Sequence, residues 1–156
     1  MTDQRIHAAL SAAVADVLES MFFLETVVRE EEANAAADSI DVEIGFEGNP
    51  PGRFEMRLAA GAANAIAADF LGEDGESLSE QQRMDVTLEL ANMICGSVLS
   101  RLESSALFRL GSPRISARLL AGGEITRHTV ETGNGCLTVA IQMEGRVCPA
   151  VAEYGS

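Results

Sequence analysis

Within DVTLELANMICG (85–96), Asp85, Glu89, Asn92 and Gly96 recur at spacings of four, three and four residues. At ~100° per residue, that spacing puts all four on one narrow strip of an α-helix. Carboxylates accept hydrogen bonds, and an amide both donates and accepts. The strip does little for its own helix. Asp85 and Glu89 are like charges at i,i+4, which costs about 0.2–0.5 kcal/mol. No Lys or Arg stands three or four residues from either. A helical glycine costs ~0.8–1.0 kcal/mol against alanine. Two readings of the residues stand side by side: a solvated polar face with a packing glycine, or a surface shaped for a partner whose backbone approaches at Gly96.

Other candidate chemistry is thinner. His7 and His128 are the only histidines and lie far apart in sequence. They read as structural residues rather than as parts of a triad or a zinc site. ETGNGC (131–136) contains Gly-x-Gly, but no helix follows, so it reads as a hairpin turn and not a phosphate loop. The three cysteines read as reduced, small apolar side chains. Cys136 and Cys148 are not a pair, because a hairpin turning at MEGR sets Cys148 opposite Ile141. The six methionines read as core filler.

The elements that must carry the strip follow from periodicity. Residues 3 to about 28 predict a long amphipathic helix, with Asp3 as N-cap and Ile6, Leu10, Ala13, Val14, Val17, Leu18, Met21, Phe22 and Leu24 at helical spacing. The acidic run 29–39 reads as a solvated loop. SIDVEIGFEG (39–48) alternates Ile40, Val42, Ile44 and Phe46 inward as a strand, and RFEMRL (53–58) is its hairpin partner across the turn NPPG. GAANAIAADFLG (61–72) is a short helix closed by Gly72. Ser77 and Glu80 have the spacing of a capping box, and the second long helix runs from there to about Ser104. On it Met84, Leu88, Ala91, Ile94, Cys95, Val98, Leu99 and Leu102 form the arc that faces the sheet, with the strip beside it. Strand-like pieces follow at 114–120, 124–131, 136–143 and 146–153. The element order hints at an internal duplication. No linker interrupts the chain, so residues 1–156 read as one α+β domain, an antiparallel sheet packed against two long helices and one short one.

Composition narrows the function. The chain has 156 residues, 47% of them hydrophobic, and a net charge of −13. That charge argues against nucleic acid as a partner and against anionic membrane surfaces. The start, MTDQRIHAAL, lacks the form of a signal peptide, and no stretch approaches the ~18 apolar residues of a membrane span. A cytoplasmic protein is expected.

On DVTLELAN, the chain resembles the CheC/CheX/FliY family of chemotaxis phosphatases, whose motif is Asp/Ser-x3-Glu-x2-Asn. Glu-x2-Asn alone is a weak motif. Here it sits in a long amphipathic helix with Pro113 some twenty residues downstream, as that family has. ELANMICGSVLSRL and AVADVLESMFF are similar to the CheX branch. The resemblance spans nearly the whole chain, and a single copy of the motif is CheX-like: the first helix offers Asp16 and Glu19 but no matching Asn.

The resemblance implies a phosphatase acting on a CheY-like response regulator that carries an aspartyl phosphate. Asn92 would orient the attacking water and Glu89 would pair with a receiver lysine; Asp85, at the Asp/Ser position, would support that pair or the docking surface, and Gly96 would serve docking. Phosphoryl transfer needs positioning and charge stabilisation more than covalent help, and an uncharged amide can hold a water without repelling phosphoryl oxygens. The resemblance implies no cofactor of the chain's own, Mg²⁺ being carried by the receiver. It also implies a homodimer joined through sheet edges, for which the uncharged CLTVAIQ (136–142) is the expected edge. The rival reading is a non-catalytic binding module for a receiver or a flagellar-switch partner.

Overall fold

The computed structural model describes residues 3–22, 24–29, 38–48, 51–102, 108–115 and 125–143. The expected acidic loop (apart from its two ends), the core of the NPPG turn, the MEGR hairpin, Cys148, the strand at 146–153 and residues 116–120 lie outside them.

Helix α1 (Asp3–Phe22) buries Ile6, Leu10, Ala13, Val14, Val17, Leu18 and Phe22. It stops six residues before the expected end. The Leu24 N–H turns back to the Leu18 carbonyl at 3.0 Å, and Val27–Arg29 forms an edge strand, β1. No Gly or Pro marks that break. Thr26, Val27 and Val28 are β-branched residues that favour extended backbone, and a neighbouring strand offers them hydrogen bonds. Met21 is 54% exposed, so it does not belong to the apolar arc of α1 or to the core.

Strands β2 (Ser39–Glu47) and β3 (Gly52–Ala59) form the expected hairpin in register Val42↔Met56 and Ile44↔Phe54. Helix α2 (Ala60–Leu71) ends at Gly72, whose φ of 66° is left-handed. Gly72 N–H reaches the Asp69 carbonyl, and Glu73 N–H reaches that of Ala68 at 3.0 Å. This double closure is a Schellman motif, which glycine enters without a Cβ penalty.

The long helix α3 (Glu80–Leu102) follows a short 3₁₀ turn at Gly75–Ser77. The capping box is real but lies two residues on from Ser77 and Glu80. Ser79 Oγ accepts from Gln82 N–H at 3.0 Å, and Gln82 Oε1 accepts from Ser79 N–H at 2.9 Å. SLSEQQ offers the Ser-x-x-Glu/Gln spacing twice. The second register leaves Leu78 outside the helix, where it is buried.

After α3 come β4 (Arg109–Leu110), β5 (Arg114–Ile115), β6 (Ile125–Glu131) and β7 (Cys136–Met143). The seven-stranded antiparallel sheet has the order β1-β6-β7-β3-β2-β4, with β5 also pairing β2. This is the expected α+β fold. The edge assignment is overturned: Cys136–Met143 pairs β6 on one side and β3 on the other. Its lack of charge reflects burial in the middle of the sheet. Among the described strands, the edges are β1 on one side and β4 with β5 on the other.

One face of the sheet carries the helices, α1 against β6 and α3 against β2 and β3. Helix α3 also packs on α1 and α2, which widens its buried arc. Val86, Thr87 and Leu90 are buried along with Ala91, Ile94, Cys95, Val98, Leu99 and Leu102, while Met84 and Leu88 are only half-buried. The other face holds an ion-pair cluster that the alternating pattern did not reveal. Arg57 grips Asp41 through two bonds of 2.8 and 3.0 Å, and Glu43 accepts from Arg53 at 2.6 Å and Arg114 at 2.5 Å. Burial pushes the Glu43 carboxyl up, but the two guanidinium groups outweigh it and hold it below its usual value.

Candidate functional site

Helix α3 presents the strip to solvent. Asp85 and Glu89 are exposed, and Asn92 and Gly96 are half-buried. The strip is therefore brought together as expected, with its lower two members set into the helix layer. Leu88 and Met93 flank it and pack on the core, which keeps the backbone between them still. Asp85 is held by its neighbour one turn back, Gln81 Nε2 donating to Oδ1 at 2.8 Å. Among the described residues, the Glu89 carboxylate and the Asn92 amide have no hydrogen-bond or ion-pair partner. A hydrogen-bonding amide fixed on a rigid helix with nothing to bond is available to water or to another molecule.

Gly96 bears on one part of the first reading, the packing glycine. A Cβ built there meets nothing within 4 Å. Packing among the described residues does not require the glycine, so its cost to the helix is not repaid there. Gln81 is a contributor that sequence reasoning missed. Its i,i+4 relation to Asp85 was the available signal.

Pro113 lies half-buried between β4 and β5, where the Gly111 N–H holds the segment to the Gly45 carbonyl of β2 at 2.8 Å.

The remaining candidates fall away from the strip. His7 and His128, distant in sequence, meet edge to face with ring centroids 5.1 Å apart between α1 and β6. Burial lowers the His128 pKa and the charge of His7 lowers it further. ETGNGC is a hairpin turn, closed by Thr132 N–H on the Gly135 carbonyl at 3.0 Å. Burial pushes the Cys95 thiol up to about 12, which makes it unreactive at neutral pH. The half-buried Cys136 thiol donates to Glu131 Oε2 at 3.0 Å. Met56 and Met143 are core, Met84 and Met93 are half-buried, and Met21 is outside. Among the described residues, no group of three or more His, Cys, Asp or Glu is placed to hold a metal ion, and no helix is long and apolar enough to cross a membrane.

Solved structures share this fold. Similar chains include the chemotaxis protein CheX from Vibrio vulnificus, at 22% identity and TM-score 0.75 over 92% of this chain and 99% of that one. The chemotaxis protein CheX from Desulfovibrio desulfuricans matches at 20% identity and TM-score 0.72, over 89% and 99%. CheX in a CheX–CheY–BeF3–Mg complex from Borrelia burgdorferi matches at 16% identity and TM-score 0.70, over 87% and 96%. No curated protein sequence matches the chain. The family described as chemotaxis phosphatase CheX matches residues 40–121, just over half of the chain, and includes the whole strip. With that match on the helix that carries Asp85, Glu89, Asn92 and Gly96, the chain belongs to the CheX family of chemotaxis phosphatases.

Proposed function

We propose that this protein hydrolyses the aspartyl phosphate of a CheY-type receiver domain, with Asn92 and Glu89 as the working side chains. The observation that carries the reading is the pair of side chains on α3 with no partner among the described residues, set above an open glycine. The Borrelia CheX was crystallised with CheY, BeF3 and Mg²⁺, which supports a receiver as the partner.

In this mechanism α3 lies against the mouth of the receiver's phosphorylation site. The Asn92 amide accepts from and donates to a water, aligning its oxygen with the phosphorus opposite the aspartyl oxygen. The water oxygen bonds to phosphorus, the aspartyl P–O bond breaks, and inorganic phosphate leaves with the receiver's carboxylate restored. The amide is uncharged and does not repel the phosphoryl oxygens. The Mg²⁺ that offsets their charge comes with the receiver. Glu89 pairs with a receiver lysine beside the phosphate. Asp85, steadied by Gln81, extends the docking surface, and Gly96 lets the receiver's backbone come close one turn beyond Asn92.

Substoichiometric protein added to a phosphorylated receiver tests this directly. Clearance of many equivalents of phosphate supports the enzyme. Protection or release of only one equivalent per protein leaves a binding module instead.

A further inference from the structure

The last turns of α1 and α2 meet at one end of the helix layer, where the Phe22 and Phe70 rings lie 5.8 Å apart. Phe22 is buried, but its neighbour Met21 is 54% exposed, and Phe70 and Leu71 are 47% and 39% exposed. Single exposed apolar residues are ordinary on a monomer, whereas a group of them marks an interaction surface. Among the described residues, nothing buries these three side chains. Gly72 stops α2 immediately after Leu71, and the loop that follows, EDGES (73–77), has no apolar side chain to fold over them.

This end is tied to the first turn of α3, the helix that carries the strip. Glu73, just past the α2 cap, accepts from Gln82 Nε2 at 3.3 Å in the first turn of α3. Asp85 follows one turn later. The rim is acidic: Glu19, Asp69 and Glu73 are all exposed. The chain has no lysine; Arg83, in the same first turn of α3 as Gln82, is half-buried, and Arg101, in the last turn of that helix, is engaged with Asp16 at 3.4 Å.

We infer that Met21, Phe70 and Leu71 form an apolar shelf that docks the same receiver at a second point, taking an apolar side chain bracketed by Lys or Arg. The inference rests on the strip being the receiver's docking site. Its role is affinity and partner choice, because three apolar side chains neither move a proton nor hold a water for attack. A contact made equally in the ground and transition states moves KM and leaves kcat alone. The acidic rim sets the charge of the partner and speeds encounter at low salt.

The test uses Met21→Gln/Leu71→Gln, which keeps good helix formers on solvent-exposed positions. Affinity is read by calorimetry against a CheY-type receiver loaded with BeF3 and Mg²⁺, and kcat and KM against the same receiver phosphorylated with acetyl phosphate. The expected result is a Kd and KM about tenfold or more above wild type, from lost apolar burial, with kcat and melting temperature unchanged. Should the double variant melt early, Met21→Gln alone is read, with a rise of about threefold expected. Kd and KM within twofold of wild type would overturn the shelf while leaving the phosphatase reading intact. Wild-type protein that binds the BeF3 form but releases no phosphate would end the phosphatase reading alone, and the Kd values still decide the shelf. Wild-type protein that fails to bind the receiver at all overturns both.

Discussion

Gly96→Ala should make the protein more stable and less effective. The position lies inside α3, more than a turn from its end at Leu102, and an added Cβ meets nothing within 4 Å. The methyl group therefore brings helix propensity without a clash, about 0.8–1.0 kcal/mol. For a chain of this length that is roughly a 2–4 °C rise in Tm. In the complex the same methyl stands where the receiver's backbone is proposed to approach. Forcing a methyl group into a close-packed contact costs about 1–3 kcal/mol, which is roughly a 5-fold to 150-fold rise in KM. Gly96→Leu, similar in propensity but larger, should keep the stability gain and bind worse still. The assay pairs thermal melts with dephosphorylation of a phosphorylated receiver over a range of receiver concentrations. A lower Tm for Gly96→Ala would mean the space is not open. A raised Tm with unchanged KM for both variants would mean that nothing approaches Gly96, and the glycine would lose its proposed role.

Asn92→Ala should lower kcat by roughly 10²–10³ with affinity and melting temperature held, since a preorganised polar group acting in the transition state is worth ~2.7–4 kcal/mol; full activity would sink the mechanism. Glu89→Ala should raise KM as well as slow turnover, by an amount that shrinks as salt is added, and should stabilise the fold slightly by relieving repulsion from Asp85; a salt-independent loss would remove the receiver lysine from the argument. His128 should make stability fall below neutral pH. Its folded pKa is lowered from 6.5, so the unfolded chain takes up the proton first. The stability it contributes is fully present above about pH 6.5 and is lost as pH falls through the folded pKa; His128→Gln showing the same loss of Tm between pH 7.5 and 5.5 would exclude it as the source. Light scattering should report a dimer of the 16.5 kDa chain at high micromolar concentration, joined at an outer strand such as β1, whose Val27 and Val28 are exposed; a monomer there, or a dimer untouched by Val28→Lys, would refute the pairing.

The strip on α3 was legible in the sequence because a helix is a local object. Spacings of three and four place Asp85, Glu89, Asn92 and Gly96 on one side of α3 whatever surrounds it, and the alternation of β2 and β3 and the stop at Gly72 are local in the same sense. What the sequence could not decide depends on which neighbours each residue meets. CLTVAIQ reads as an uncharged edge, yet β6 and β3 enclose it on both sides, and only the strand order distinguishes an apolar edge from an apolar centre. The first helix reads through to residue 28 because no residue type forbids it. It ends at Phe22 because β6 offers hydrogen bonds to Val27–Arg29. SLSEQQ holds two capping registers, and the burial of Leu78 goes with the one at Ser79. His7 and His128 are 121 positions apart by their numbers, and only the packing of α1 on β6 brings their rings together. The emptiness beside Gly96 and the exposed shelf at Met21, Phe70 and Leu71 are likewise properties of the assembled surface: whether a glycine is filled or open, and whether a methionine is core or contact, is set by atoms that arrive from elsewhere in the chain.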